Sequence, residues 1–228
     1  MADYLVVDIE TTADEEQLEL ERSLLKPAAN IKDPEKKAAN LQAKIDAIEE
    51  KGALLDSARI ACIGIRSPEY TCNFSTFKID AEAADLLNAG IMCDYSKTEK
   101  EMLEKFSAFM NTVCEQDTVL VTSNGYNFDL PKLRFRNAWH DLRLPEALTK
   151  NQPAKDIMVQ YTKYYSMSKV PFVSVEEMAQ RLGICDSGKL MKGNQFGKLI
   201  KERQFTTAIL YNVIDLILTE RIYWKICR

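Results

Sequence analysis

The stretch YLVVDIETT, residues 4–12, decides how the first part of the chain folds. Residues 4–7 are apolar or aromatic and predict a buried β-strand, and two acids, Asp8 and Glu10, follow them directly. Successive side chains of a strand point to opposite faces, so Asp8 and Glu10 share one face while Ile9 faces the other. Two carboxylates this close repel each other at the edge of a core unless a cation lies between them. Magnesium and manganese are hard cations that prefer such oxygen ligands.

The residues after this strand have a different character. Segment 14–56 is rich in Glu, Lys, Ala and Leu, which is typical of exposed helices, and Pro27 and Pro34 divide it into two pieces. It contains little apolar material for a core of its own. We therefore interpret it as a helical insertion within a single domain, residues 1–228, and favour a solvated decoration over a linker or a lid.

Strand-like and helix-like segments alternate along the rest of the chain. The β-rich runs 58–65 and 70–77, separated by RSPE, predict a hairpin, and shorter runs at 117–125 and 154–160 predict two more strands. Cap residues and apolar spacing predict helices at 98–114, 130–144, 174–184 and about 205–226. This order of elements indicates an α/β domain.

The composition argues against several classes of protein. No apolar run approaches the roughly 20 residues of a membrane helix, and the first residues carry no basic stretch that would predict a signal peptide. The six cysteines form no Cys-x-x-Cys pair and the chain has one histidine, His140, so neither a zinc site nor a disulfide framework is supported. We expect reduced thiols and a cytoplasmic location.

Charge is unevenly distributed along the chain. Residues 1–120 carry 13 Lys and Arg against 24 Asp and Glu, whereas residues 121–228 carry 17 against 10. A basic half beside an acidic half is compatible with a polyanion bound on one face. Taken alone this is weak evidence, because runs of charge are usually solvated surface.

Two further segments place acids at special positions. In VTSNGYNFDLPKL, residues 121–133, Asp129 lies where a helix is about to begin, and by itself it would be an ordinary N-cap. In YNVID, Tyr211 and Asp215 are four residues apart on the last predicted helix and therefore share a face. Asp215 is surrounded by apolar residues, an unfavourable place for a charge without a partner.

These segments, in this order, resemble the three motifs of the DEDD superfamily of 3′–5′ exonucleases, in the branch whose last motif contains a tyrosine (DEDDy). The motifs are VVDIETT, SNGYNFDLPKL and YNVIDLILTE, and SVEEMAQRLGI and KGNQFGKL add to the likeness. The chain is most similar to stand-alone exonucleases related to the proofreading domain of family-B DNA polymerases. The resemblance covers residues 4–12 and 58–226 and leaves the insertion outside. One departure is Ser123, where many relatives carry histidine.

The resemblance implies a ribonuclease H-like fold, with a mixed five-stranded sheet flanked by helices and the acids gathered at one edge. Asp8, Glu10, Asp129 and Asp215 would hold two divalent ions, Mg²⁺ or Mn²⁺. One ion would activate a water and the other would stabilise the departing 3′ oxygen. Tyr211 would orient that water. A phenol with a pKa near 10 is a poor base at neutral pH, so we assign it positioning rather than proton removal.

The same resemblance adds candidate substrate contacts, each with a structural alternative. Thr11 would approach the 3′ end through its backbone N–H. Asn124 either bonds the terminal nucleotide or shapes its turn, and Phe128 either wedges against a terminal base or packs in the core. Lys132 is a candidate phosphate contact. The other basic candidates, each more commonly a solubilising surface residue, are Arg134, Arg136, Lys189, Lys192, Lys198 and Lys201.

The activity implied is the release of nucleoside 5′-monophosphates from the 3′ end of single-stranded DNA. Further partners would be a DNA polymerase or another replication, repair or defence protein, and no membrane is expected. Two alternatives stay open: a 3′–5′ exoribonuclease, which uses the same acids, and a catalytically silent nucleic-acid-binding or polymerase-accessory module. An aspartyl phosphatase is disfavoured, because DIETT lacks the second Asp expected two residues after the first.

Overall fold

A computed structural model describes residues 3–13, 15–51, 57–79, 88–149, 152–166, 172–184 and 196–227. Within these residues six strands form one mixed sheet, in the order β4-β3-β2-β1-β5-β6. In chain order the strands are β1 (Tyr4–Thr12), β2 (Arg59–Arg66), β3 (Thr71–Ser75), β4 (Ile91–Tyr95), β5 (Val119–Thr122) and β6 (Ala154–Asp156). β2 is antiparallel to both β1 and β3, and the other neighbouring pairs are parallel. The predicted α/β class and the hairpin of β2 and β3 are confirmed.

The expected number of five strands is wrong, because β4 adds a sixth at the edge of the sheet beside β3. Only the first residue of β4, Ile91, is buried, and Met92 and Tyr95 are exposed. A short edge strand with one buried residue shows no alternation of apolar and polar residues. Its position therefore depends on pairing with β3, which a local pattern does not reveal.

Eight helices surround the sheet in the described part of the chain. They are α1 (Glu15–Leu24), α2 (Pro34–Lys51), α3 (Glu99–Val113), α4 (Asp129–Trp139), α5 (Ile157–Tyr164), α6 (Val175–Arg181), α7 (Phe196–Lys201) and α8 (Phe205–Ile226). The first two are the helical pieces predicted for the insertion. None of the described helices combines the length and the apolar character needed to cross a lipid bilayer.

Local capping explains where several helices begin. The side chains of Thr98 and Ser174 accept hydrogen bonds from the backbone N–H groups of Glu101 and Glu177, as the sequence predicts for α3 and α6. Asp156 accepts from two N–H groups of α5 and so begins a helix where a longer strand was predicted. The prediction for 154–160 is therefore only partly correct, because β6 ends at Asp156.

Strand β1 separates two apolar layers. Leu5, Val7 and Ile9 contribute to a core that includes residues of α3 and α4. Tyr4 and Val6 contribute to a second core on the side of α8. This alternation confirms the predicted face of Ile9, and it directs Asp8 and Glu10 toward α8.

Helix α8 packs unusually close to β2 at Gly64. A Cβ atom built on Gly64 would lie 2.0 Å from Oδ1 of Asn212 and 2.6 Å from Cδ1 of Leu216. Both distances are far below a van der Waals contact, so α8 reaches this position only because the residue below it has no side chain. The position of α8 relative to β1 depends on this contact.

We expect Gly64→Ala to lower the free energy of unfolding by about 1–3 kcal/mol, because the added methyl overpacks the contact between α8 and the sheet. Urea unfolding measures the change. Gly197→Ala is the matched control: its nearest neighbour would be Oγ1 of Thr12 at 3.7 Å, and alanine favours helix α7 by up to about 1 kcal/mol. Equal stability of Gly64→Ala and the wild type would contradict the close packing described above.

Candidate metal centre

Three carboxylates lie together beside the second half of β1. Asp8, Glu10 and Asp215 each offer one oxygen, and these three atoms all lie within 4.8 Å of one another. Asp215 is buried, whereas Asp8 and Glu10 are partly exposed. Oxygen atoms at this spacing can bind a common divalent cation. A donor set made only of carboxylates suits Mg²⁺ or Mn²⁺ and does not suit metals that prefer sulfur or imidazole.

Asp129 lies beside this cluster, outside the group of three. It is the first residue of α4, and its Oδ1 accepts a 3.0 Å hydrogen bond from the backbone N–H of Ile9. Ile9 lies between Asp8 and Glu10 on β1, so Asp129 is hydrogen-bonded to the strand that carries these two acids. Burial raises the pKa of Asp129 to about 7, and repulsion from Asp156 and Asp215 adds to this increase.

Tyr211 lies one turn before Asp215 on α8, so the two side chains share one face of the helix. Burial raises the pKa of the Tyr211 hydroxyl far above its ordinary value, and the negative charges of Glu10, Asp215 and Asp8 raise it further. The hydroxyl therefore keeps its proton at neutral pH and is a hydrogen-bond donor. Its ring packs against Phe196 of α7, with 6.2 Å between the centroids.

A chain of buried amides orients Asp8. Nδ2 of Asn212 donates a 2.7 Å hydrogen bond to Oδ2 of Asp8, and Nδ2 of Asn73 donates a 2.8 Å bond to Oδ1 of Asn212. The carboxylate of Asp8 can only accept, so Asn212 must turn its NH₂ group toward Asp8 and its oxygen toward Asn73. Gly64 is the cross-strand neighbour of both Asp8 and Asn73. The missing Cβ of Gly64 leaves the space that Asn212 occupies.

Sequence reasoning missed Asn212, Asn73 and Phe196. A usable signal existed for Asn73, because an amide in the middle of the β-rich run YTCNFSTF must find a partner once the strand is buried. Asn212 stands beside Tyr211 in YNVID, but nothing in that segment reveals that it reaches β1 and β3. Both asparagines are fully buried.

The loop before Asp129 is held by a second acid that the sequence did not single out. Asp156 accepts hydrogen bonds from the backbone N–H groups of Asn124, at 3.0 Å, and of Tyr126, at 3.1 Å. Asn124 has a φ of +62°, a left-handed conformation that asparagine adopts more readily than most residues, and its Oδ1 accepts from Asn127. Asn124 thus shapes the turn, and its contact with a nucleotide stays a prediction.

The remaining substrate candidates lie close to the cluster but differ in exposure. Thr11 is buried one residue past Glu10, next to a bulge: Glu10 pairs with Cys62 and Thr11 with Ile60. Phe128 packs against the core shared by α3 and α4. The position of Phe128 agrees with either of its two roles, and the approach of Thr11 to a 3′ end stays a prediction.

Several basic candidates are buried in structural contacts. Lys132 is 6% exposed, and its Nζ lies 3.5 Å from the carbonyl oxygen of Ala58, which favours a structural role over the predicted phosphate contact. Arg136 is buried against Glu99, and Nε of Arg134 donates to the carbonyl oxygen of Leu148. Lys198 and Lys201 are exposed on α7, while Lys189 and Lys192 lie outside the described residues.

Comparison with models of known protein families gives no match, and comparison with curated proteins gives none either. The fold and the site define an α/β protein with a mixed six-stranded sheet and a carboxylate cluster able to bind a divalent cation.

We expect the stabilising contribution of Asp129 to the metal-free protein to decrease as pH rises from about 4 to about 7. The folded pKa of Asp129, about 7, lies above its unfolded value near 4, so the folded state binds this proton more tightly across that range. The contribution of Asp129 to the free energy of unfolding has its full value below about pH 4. It decreases by at most about 1.4 kcal/mol for each unit that the pH rises above about 4.

Urea unfolding in EDTA at several pH values measures this slope. Asp129→Asn keeps an oxygen for the N–H of Ile9 but does not titrate, so we expect the free energy of unfolding of the wild type to fall relative to that of the variant over the same range. Parallel pH profiles for the two proteins would show that Asp129 titrates normally.

Proposed function

We propose that the chain is a metal-dependent 3′–5′ exonuclease of the DEDDy type, which hydrolyses the terminal phosphodiester of single-stranded DNA and releases nucleoside 5′-monophosphates. One observation carries the proposal: Asp8, Glu10 and Asp215, from opposite ends of the chain, place carboxylate oxygens within 4.8 Å of one another. Asp129 is bonded to the strand between the first two. These are the four acids of the motif resemblance.

The fold supports the same proposal. The sheet is mixed and flanked by helices, as expected of a ribonuclease H-like domain, and β4 adds one strand to the five expected. The acids lie at one end of its central strand and on the two helices, α4 and α8, that pack beside it.

Asp8, Glu10 and Asp215 can hold one Mg²⁺ or Mn²⁺ ion, and together with Asp129 they would hold the proposed pair. When bound, such ions supply an activated water at neutral pH and stabilise charge on the leaving oxygen. Asn212 holds Asp8 in one orientation, so less rearrangement is needed on binding. Tyr211 would keep its proton and orient the water, because burial raises the pKa of its hydroxyl and the surrounding acids raise it further.

Two other functions use the same site or part of it. A 3′–5′ exoribonuclease needs the same four acids, and the described residues contain no observation that favours RNA. A catalytically silent nucleic-acid-binding or polymerase-accessory module would not need the acids to converge.

We also propose a cytoplasmic location, in line with the free thiols of the described cysteines.

Digestion of 5′-labelled single- and double-stranded DNA and RNA oligonucleotides tests the proposal. With Mg²⁺ or Mn²⁺ we expect a ladder that shortens from the 3′ end, fastest on single-stranded DNA, and no digestion in EDTA. We expect Asp8→Ala to reduce the rate on the order of a thousandfold, since it removes several kcal/mol of transition-state stabilisation and each 1.36 kcal/mol is a factor of ten.

Asp117→Ala is the matched control for this variant, because Asp117 is an exposed acid remote from the cluster. It should digest like the wild type. Faster digestion of RNA would favour the exoribonuclease, and binding without digestion would favour the silent module. An Asp8→Ala protein with wild-type activity would exclude the proposed centre.

We expect Tyr211→Phe to lower kcat by about 10- to 100-fold with little change in KM, because a hydrogen bond to a charged or reacting group contributes about 1.5–3 kcal/mol. The phenyl ring can still pack on Phe196, so folding should be retained. The pH dependence of kcat separates positioning from proton removal. Loss of a titrating limb in Tyr211→Phe would identify the tyrosine as the base and contradict our assignment.

A further inference from the structure

A cavity of about 730 Å³ lies between the helical insertion and the body of the domain. Glu16 and Leu20 of α1 line one side, and Arg59 of β2 and the facing ends of α3 and α4 line the other. A volume of this size is typical of sites for small organic ligands. The helical insertion thus forms one wall of a cavity large enough to hold a ligand.

The lining of this cavity carries an excess of positive charge. Its acids are already bonded to basic residues: Nη2 of Arg59 lies 2.8 Å from Oε2 of Glu16, and Glu99 is bonded to both Arg136 and His140. Two exposed lysines at the start of α3, Lys97 and Lys100, also line the cavity. Such a wall favours an anionic ligand.

An exposed aromatic side chain also lines the cavity. Trp139 is 55% exposed, and the Arg136 guanidinium lies 5.2 Å from the centroid of its ring. Phe135 lies 6.0 Å away on the same helix. An accessible indole beside cations is the combination with which proteins bind single-stranded nucleic acids, whose bases stack while phosphates contact lysine and arginine.

The cavity borders the strand that carries two of the acids. Thr12 lines it and lies two residues after Glu10 on β1, a distance of roughly 7 Å along a strand. Ala61, the extra residue of the bulge opposite Thr11, also lines it. The strand that carries Asp8 and Glu10 therefore runs from the acid cluster to the wall of the cavity at Thr12.

We propose that this cavity binds the nucleotides that precede the 3′-terminal one in a single-stranded substrate. Lys97 and Lys100 contact the phosphates, Trp139 stacks on a base, and the insertion is one wall of the strand-binding groove rather than a solvated decoration. The inference rests on the proposed function, since it assumes that a nucleic-acid 3′ end lies at the carboxylates.

Binding without cleavage tests the phosphate contacts. The probe is 5′-fluorescein-labelled dT12, measured by anisotropy in EDTA at several salt concentrations. The double variant Lys97→Gln/Lys100→Gln should bind dT12 more weakly. The slope of its log K against log salt concentration should be less steep by about 0.7 for each phosphate that the variant no longer neutralises. The control Lys36→Gln/Lys37→Gln removes the same charge from exposed positions on α2 that do not line the cavity. Equal affinities and slopes for all three proteins would overturn the proposal.

Intrinsic fluorescence tests the stacking, because the chain has only two tryptophans, Trp139 and Trp224. In Trp224→Phe the emission comes from Trp139, and dT12 should quench it. In Trp139→Phe the emission comes from Trp224, which lies beside Tyr4, and dT12 should leave it unchanged. Absence of quenching in Trp224→Phe, or equal quenching by free dTMP, would overturn the assignment to a strand.

The outcomes separate this inference from the proposed function. Weaker dT12 binding by the lysine variant, with no digestion by the wild type in Mg²⁺ or Mn²⁺, would remove the nuclease and retain the groove. Digestion by the wild type, with unchanged kcat/KM and binding in the lysine variant, would retain the nuclease and remove the groove.

Discussion

The close contact between α8 and β2 at Gly64 is the constraint on which the candidate site depends. Because a side chain is absent there, Asn212 lies between Asn73 and Asp8 and bonds both. The same helix carries Tyr211 and Asp215, each within one turn of Asn212. A helix moves as a stiff element, so a displacement at Gly64 would carry the orienting amide, the hydroxyl and the third carboxylate away from β1 together.

The other side of the site is held by backbone hydrogen bonds. Asp156 binds two N–H groups of the loop before α4, and Asp129 at the start of that helix binds the N–H of Ile9. The backbone thus fixes the position of Asp129 relative to β1. The raised pKa values of Asp129 and Tyr211 come chiefly from burial and are increased further by repulsion from the neighbouring acids. Bound divalent cations would relieve it, which couples metal binding to stability.

The charge distribution along the chain did not locate the basic surface. Arg59, Lys97 and Lys100 line the cavity but belong to the acidic half, residues 1–120, while Arg136 of the basic half is buried against Glu99. Folding brings cations from separate elements to one wall and uses others in internal ion pairs. The insertion gains its proposed role in the same way, since α1 has no binding surface until β2, α3 and α4 lie opposite it.

Local pattern was sufficient for β1 and its two faces, for the caps of α3 and α6, for the extent of α8 and for the choice of acids to examine. Each of these depends on neighbours within a few residues, which periodicity and capping describe well. Edge strand β4, the loop anchor Asp156, the burial of Lys132 and the bond between Asn73 and Asn212 depended on contacts between distant segments. The last pair is separated by 139 residues, and no local preference of either asparagine encodes that distance. Burial determines these contacts, because a polar group excluded from water forms a hydrogen bond with the group that the fold places beside it.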